Sequence, residues 1–165
     1  MTNEKRLELL DNYKNAYSQI VEALKLYPLN MWQFKPGPDK WSIHEIIIHI
    51  ADSEANSFTR CRKIIAENGG TIIAYNQDKW SSSMMYHDQN TYDALELFRF
   101  LRKMTYDLLV KLPEKTWANY AMHEVDGKLN LDRWLEIYEA HIPGHINQMK
   151  MVYDKWLEQG SKNSK

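Results

Sequence analysis

The sequence is poor in cysteine, glycine and proline, with one, six and five among 165 residues. Cys61 stands alone, so no internal disulfide framework exists, in keeping with a reducing compartment. No apolar run approaches the roughly 18 to 20 residues that cross a bilayer, so no membrane partner is expected. The opening "MTNEKRLELLDNYK" has neither the apolar centre nor the cleavage site of a secretory signal, and the cytoplasm is the expected location. Charge of one sign is also missing. A formal net charge of -1 lacks the clustered Lys and Arg that phosphates demand, which argues against a nucleic-acid partner. The basic ending "SKNSK" reads as a solvated tail. There is no internal repeat and no low-complexity segment.

What is present is an ordinary globular mixture, 44% apolar and 26% charged. The length suits a single domain, 1–165, with one substantial core. Leu7, Leu10, Tyr17, Val21 and Leu24 recur at helical spacing until "YPLN" interrupts them. A loop around Pro36, Gly37 and Pro38 leads to Ser42 and Glu45, spaced as a capping box, and predicts a second helix that stops at Gly69 and Gly70. Residues 71–89 lack sustained periodicity and read as a long connection. A third helix is predicted from a cap at Asn90 or Thr91 through Tyr92, Leu95, Phe98, Leu101, Thr105 and Leu108. Alternation around Asp126-Gly127 predicts a small β-hairpin. A fourth helix is predicted from about 130 to about 159. The fold class is therefore all-α: a four-helix bundle, most simply antiparallel, with long connecting loops of the kind that often cover a site.

In the last helix "HIPGH" sets His141 and His145 four residues apart with Pro143 and Gly144 between them. A turn would reset the phase of the apolar stripe. Trp134, Tyr138, His141, His145, Gln148 or Met149, Val152 and Trp156 keep spacings of three and four throughout, so the pattern predicts a kink and not a stop. One histidine pair is weak evidence of a metal site, and a third ligand is needed. His49 supplies it, at the edge of the stripe of Ile46, Ile50, Ser57 and Ile64. On the same strip lie Ser53, Asn56 and Arg60, a polar edge that a packed core seldom carries without something to bind.

Three stretches carry a resemblance across nearly the whole chain: "KWSIHEIIIHIADSEANSFTR", "YNQDKW" and "LNLDRWLEIYEAHIPGHINQM". With them the sequence resembles the DinB/YfiT-like superfamily of metal-dependent enzymes, which are four-helix bundles. In that family one histidine of the second helix and two of the last bind a divalent metal, which implies His49, His141 and His145 here. The resemblance is closest to the branch similar to bacillithiol S-transferases, and other relatives are hydrolases or mycothiol-dependent isomerases. It implies a small-molecule substrate, a low-molecular-weight thiol such as bacillithiol as co-substrate, and a homodimer.

Three neutral imidazoles leave open positions on Zn or Ni, with Fe or Mn as further candidates. Such an ion activates either a water or a thiol, and a third alternative is a metal-binding bundle without turnover. Ser53, Asn56, Arg60 and Trp80 are the candidate substrate or cofactor pocket. Arg60 reads equally as an attractor of an anionic cofactor or as half of an ordinary ion pair. Glu139, Asp52 and Glu54 are the candidates for orienting the imidazoles; Asp52 reads as a surface acid and Glu54 as a buried, hydrogen-bonded one. His44, His87 and His123 read as surface or loop residues, with an edge of the pocket as the alternative for His87 and His123, and Met84, Met85 and Tyr86 read as a pocket mouth or filler. Asp78 and Trp80 read as loop anchors, and Cys61 as a small core residue.

Overall fold

Local capping fixes where each helix begins. In the structure, a computed structural model that describes residues 1–162, the Thr2 side chain accepts from the Lys5 N–H and opens α1, Asn3–Leu24. The capping box forms as the sequence predicts: Ser42 accepts from the Glu45 N–H, Glu45 accepts from the Ser42 N–H, and α2 runs Ile43–Ala66. Gly69, at φ +87°, turns the chain away beyond its end. A two-residue strand β1, Thr71–Ile72, and a short helix α3, Gln77–Ser83, follow. Asn90 caps α4, Thr91–Leu109, by accepting from the N–H groups of Tyr92 and Asp93. β2, Tyr120–His123, and β3, Gly127–Asn130, lead into α5, Leu131–Lys162. Residues 163–165 of the predicted tail lie outside the described residues.

The expected hairpin is present, turning at Gly127 with φ +74°, and β1 adds to it in parallel with Thr71 opposite Met122. A two-residue strand leaves no periodicity to read, so the three-stranded sheet was not foreseen. The stripe predicted for the first helix is shifted. Leu7 is 59% exposed, and the buried face is Leu9, Leu10, Tyr13, Ala16, Ile20, Ala23 and Leu24. Arg6 goes inside instead, because Asp132 and Glu114 neutralise its guanidinium, which also lies over the Trp117 ring.

Long-range contacts give the helix directions. Arg6 meets Asp132 and Tyr27 meets Tyr153, so α1 and α5 run parallel. Arg60 meets Tyr138 and His49 meets His145, so α2 and α5 run antiparallel. Tyr13 stacks under Arg102 and Tyr17 meets Glu96, making α1 and α4 antiparallel. Glu54 meets Arg102 and Arg62 meets Thr105, making α2 and α4 parallel. Parallel neighbours require a long return between them. The connection predicted at 71–89 belongs to this return: Ile73 touches Arg60, Tyr75 touches Ser53, Tyr86 touches Asp52 and His87 lies beside His44, back along α2.

The core has two parts. One gathers Ile20, Met31, Ile46, Ile50, Phe98 and Met149, and the other Leu10, Ile64, Trp117, Leu129 and Trp134. Cys61 lies in the second, fully buried as expected, with burial pushing its thiol up to about 12. No helix among the described residues is long and apolar enough to cross a membrane.

Candidate metal centre

α5 passes through Pro143 and Gly144 without stopping. Both residues are exposed, and nothing lies within 4 Å of a side chain built on Gly144. Pro143, which cannot donate to the Glu139 carbonyl, stands on the solvent side, while the inner face keeps Trp134, Leu135, Tyr138, Ile142, Met149 and Val152 buried. His141 and His145 stand on the edge of that face, half-buried and one turn apart.

α2 brings His49 to them, and the three imidazoles each offer a nitrogen within 4.8 Å of the others. Ring centroids are 5.6 Å apart for His49 and His141, 4.9 Å for His49 and His145, and 4.4 Å for His141 and His145. The Nε2 atoms of His141 and His145 are 3.0 Å apart. Two nitrogens that close can reach a single ion at about 2.0–2.1 Å with only a small adjustment. His49 is 1% exposed and its Nδ1 is buried without a partner, while Trp41 covers its ring at 4.6 Å between centroids. A buried imidazole with no hydrogen bond of its own, packed against two whose nitrogens converge, fits a divalent ion.

The electrostatics favour neutral ligands. Burial, then the neighbouring His145, pulls His49 down to about 3; burial, then His145, His49 and Arg102, pulls His141 down to about 2. Burial also lowers His145, opposed by its hydrogen bond to Gln148. Gln148 Oε1 lies 2.9 Å from His145 Nδ1. It thereby holds the ring proton on Nδ1 and leaves the Nε2 lone pair facing His141.

These shifts set a pH dependence for the metal-free protein. Unfolded histidine takes up a proton near 6.5, whereas folded His49 and His141 resist until about 3 and 2. Their neutral burial is accommodated above 6.5, and stability is lost as pH falls through the window below it. The urea midpoint of chelator-treated protein is expected to drop steadily between pH 7 and pH 4, and less steeply in His49→Gln. Equal slopes would mean that His49 is not held neutral.

The orienting group is Gln148, which was not foreseen in that role; an i, i+3 amide after a histidine was the available signal. Asp52 is not a surface acid. Its carboxylate accepts from the buried Tyr86 hydroxyl, so Tyr86 anchors the return segment and does not line a pocket mouth. Glu54 is buried as predicted, but on Tyr13 and Arg102 and not on an imidazole. Glu139 accepts from Asn12. His123 is buried, its Nδ1 2.9 Å from the Asp126 carboxylate, because the hairpin folds back over it. His44 and His87 pair at the start of α2, 5.9 Å between centroids.

The four predicted pocket residues lie along the seam between α2 and the return. Ser53 lies beside the Tyr75 hydroxyl, and Trp80 packs against Tyr75 with ring centroids 4.7 Å apart and planes tilted by 48°. Asn56 turns back on its own helix, donating to the Asp52 carbonyl. Arg60 donates to the Tyr138 hydroxyl and the Ile73 carbonyl. A polar cavity of about 370 Å³ lies instead beside Trp41, lined also by Lys35, Glu45, Asp78 and Ser82.

Fold and site together define a helical bundle with a three-histidine centre between an antiparallel pair of helices. The chain belongs to the DinB superfamily, whose model matches residues 12–149. It is 21% identical over 148 residues to a protein of Oceanobacillus iheyensis named "putative metal-dependent hydrolase", covering 88% of this chain and 82% of that one. Its fold superposes with a TM-score of 0.86 on YfiT from Bacillus subtilis, described as a probable metal-dependent hydrolase with an unusual four-helix bundle topology. That match is at 18% identity and covers 94% of this chain and 90% of that one. A mycothiol-dependent maleylpyruvate isomerase superposes at a TM-score of 0.69 and 12% identity, over 90% of this chain and 61% of the longer one.

Proposed function

We propose that the chain is a divalent-metal-dependent enzyme that transfers a low-molecular-weight thiol, of the bacillithiol kind, to an electrophilic small molecule. The observation that carries the reading is the set of three buried or half-buried imidazoles with nitrogens within 4.8 Å of one another. Zn or Ni suits three nitrogen donors first, with Fe or Mn as further candidates. When bound, the ion supplies Lewis acidity that keeps a thiol as thiolate, or lowers the pKa of water toward about 7.

The chain's own groups do the rest. Gln148 fixes the tautomer of His145, and Trp41 shields His49 from water. Tyr75 and Trp80 roof the seam above Ser53, where an electrophile meets an aromatic surface. The likeness to a mycothiol-dependent isomerase supports a thiol as the nucleophile. The names of the sequence relatives favour the second reading, hydrolysis by activated water.

Zinc-loaded protein mixed with a small thiol and an electrophilic chloroarene decides between them. Thiol transfer predicts a thioether and chloride in equal amounts, with the thiol consumed. Substrate loss at the same rate without thiol overturns that choice in favour of hydrolysis.

A further inference from the structure

The polar strip along α2 ends in a cation that no carboxylate neutralises. Arg6, Arg99, Arg102 and Arg133 each hold an Asp or Glu. Among the described residues no carboxylate holds Arg60 or Arg62, and Arg62 lies over the Phe58 ring and donates to the Phe58 carbonyl and Thr105, away from the histidines. The Arg60 guanidinium donates to the Tyr138 hydroxyl at 3.1 Å and the Ile73 carbonyl at 3.2 Å, and lies 5.7 Å from the Tyr75 ring centroid. Both acceptors are neutral, and guanidinium has five N–H donors to place.

Tyr138 makes this cation relevant to the centre. It is buried, one turn before His141 on α5, with ring centroids 6.2 Å apart. Its oxygen accepts from Arg60, so its own proton is the free one, and that proton makes no hydrogen bond among the described residues. An N–H fork and an O–H donor, both polarised by one positive charge, thus stand beside the histidines.

We propose that Arg60 and Tyr138 form an anion subsite that takes a carboxylate of the substrate or of its thiol partner while the reacting end sits at His49, His141 and His145. The proposal rests on reading those three residues as a metal centre. Guanidinium pairs with carboxylate more strongly than with a phenol or an amide carbonyl, so an incoming carboxylate competes well for the Arg60 donors. A phenol O–H aimed at developing or fixed negative charge adds to it. The subsite would select anionic ligands over neutral ones of the same shape.

Cobalt-loaded protein reads this directly, because thiolate on cobalt gives a charge-transfer band. Two thiols of equal length, 3-mercaptopropionate and 3-mercapto-1-propanol, are titrated against wild type, Arg60→Leu, Arg60→Lys and Tyr138→Phe. Wild type is expected to bind the acid about tenfold more tightly than the alcohol, as one charge-assisted contact allows. Arg60→Leu and Tyr138→Phe should bring the ratio close to one, with cobalt content and circular dichroism unchanged, and Arg60→Lys should keep part of it. An unchanged ratio in Arg60→Leu, or no preference in wild type, overturns the subsite. Should neither thiol give the band, the thiol reading fails, and propionate against propionamide, followed by the cobalt visible bands, still reports the charge preference; an equal response sinks the subsite. Wild-type protein that takes up no cobalt overturns the centre itself, a different result from a loaded protein indifferent to charge.

Discussion

Replacing His145 with alanine is expected to strip the purified protein of divalent metal. His145 contributes one of the two nitrogens that converge at 3.0 Å, and the amide that orients it has no other imidazole to serve. Losing an orienting partner alone typically lowers metal affinity 10–100-fold. Losing the ligand should exceed that, to a fall of more than about 100-fold in competition with a chelating dye. The fold should survive, since His145 is half-buried and the core residues of α5 are untouched. Elemental analysis of both proteins beside a circular dichroism spectrum checks this. Equal metal content in the two would remove His145 from the centre, and with it the three-histidine reading.

Glu54→Leu should be the most damaging single change to stability. Glu54 and Arg102 are 1% and 2% exposed and 2.6 Å apart. Glu54 also accepts from Tyr13, and Arg102 donates to the Tyr138 carbonyl, so one network ties α2 to α1, α4 and α5. Taking away the carboxylate leaves a guanidinium buried without a counter-charge, which costs about 3–5 kcal/mol. Against a typical total of about 5–15 kcal/mol, that is a large fraction. The double variant Glu54→Leu with Arg102→Met should recover much of the loss, because two apolar side chains no longer strand a charge. Urea unfolding of the three proteins measures it. A loss below about 1 kcal/mol in the single variant would mean that water reaches Arg102.

Much of this molecule is legible in its sequence because the informative signals are local. Ser42 and Glu45 mark the start of α2, Asn90 that of α4, and the unbroken stripe carries α5 through Pro143. His49, His141 and His145 could be singled out because helical spacing places each on a known face. What escaped notice is tertiary. Arg6 and Arg102 are charged residues whose burial depends on partners far away in sequence: Asp132 lies 126 residues from Arg6, and Glu54 lies 48 from Arg102. Asp52 passed for a surface acid because its partner, Tyr86, comes from the aperiodic connection. Gln148 sat in plain view on the right stripe, yet its role depends on a side-chain rotamer that no pattern encodes.

The return from α2 to α4 separates two kinds of heritable change. The three imidazoles stand on α2 and α5, while Tyr75 and Trp80 sit together in one contiguous stretch between β1 and α4. A replacement of that stretch alters what the centre faces and leaves the three imidazoles where they are. Such a chain can diversify by exchanging a single cassette while the helices that hold the three imidazoles stay as they are.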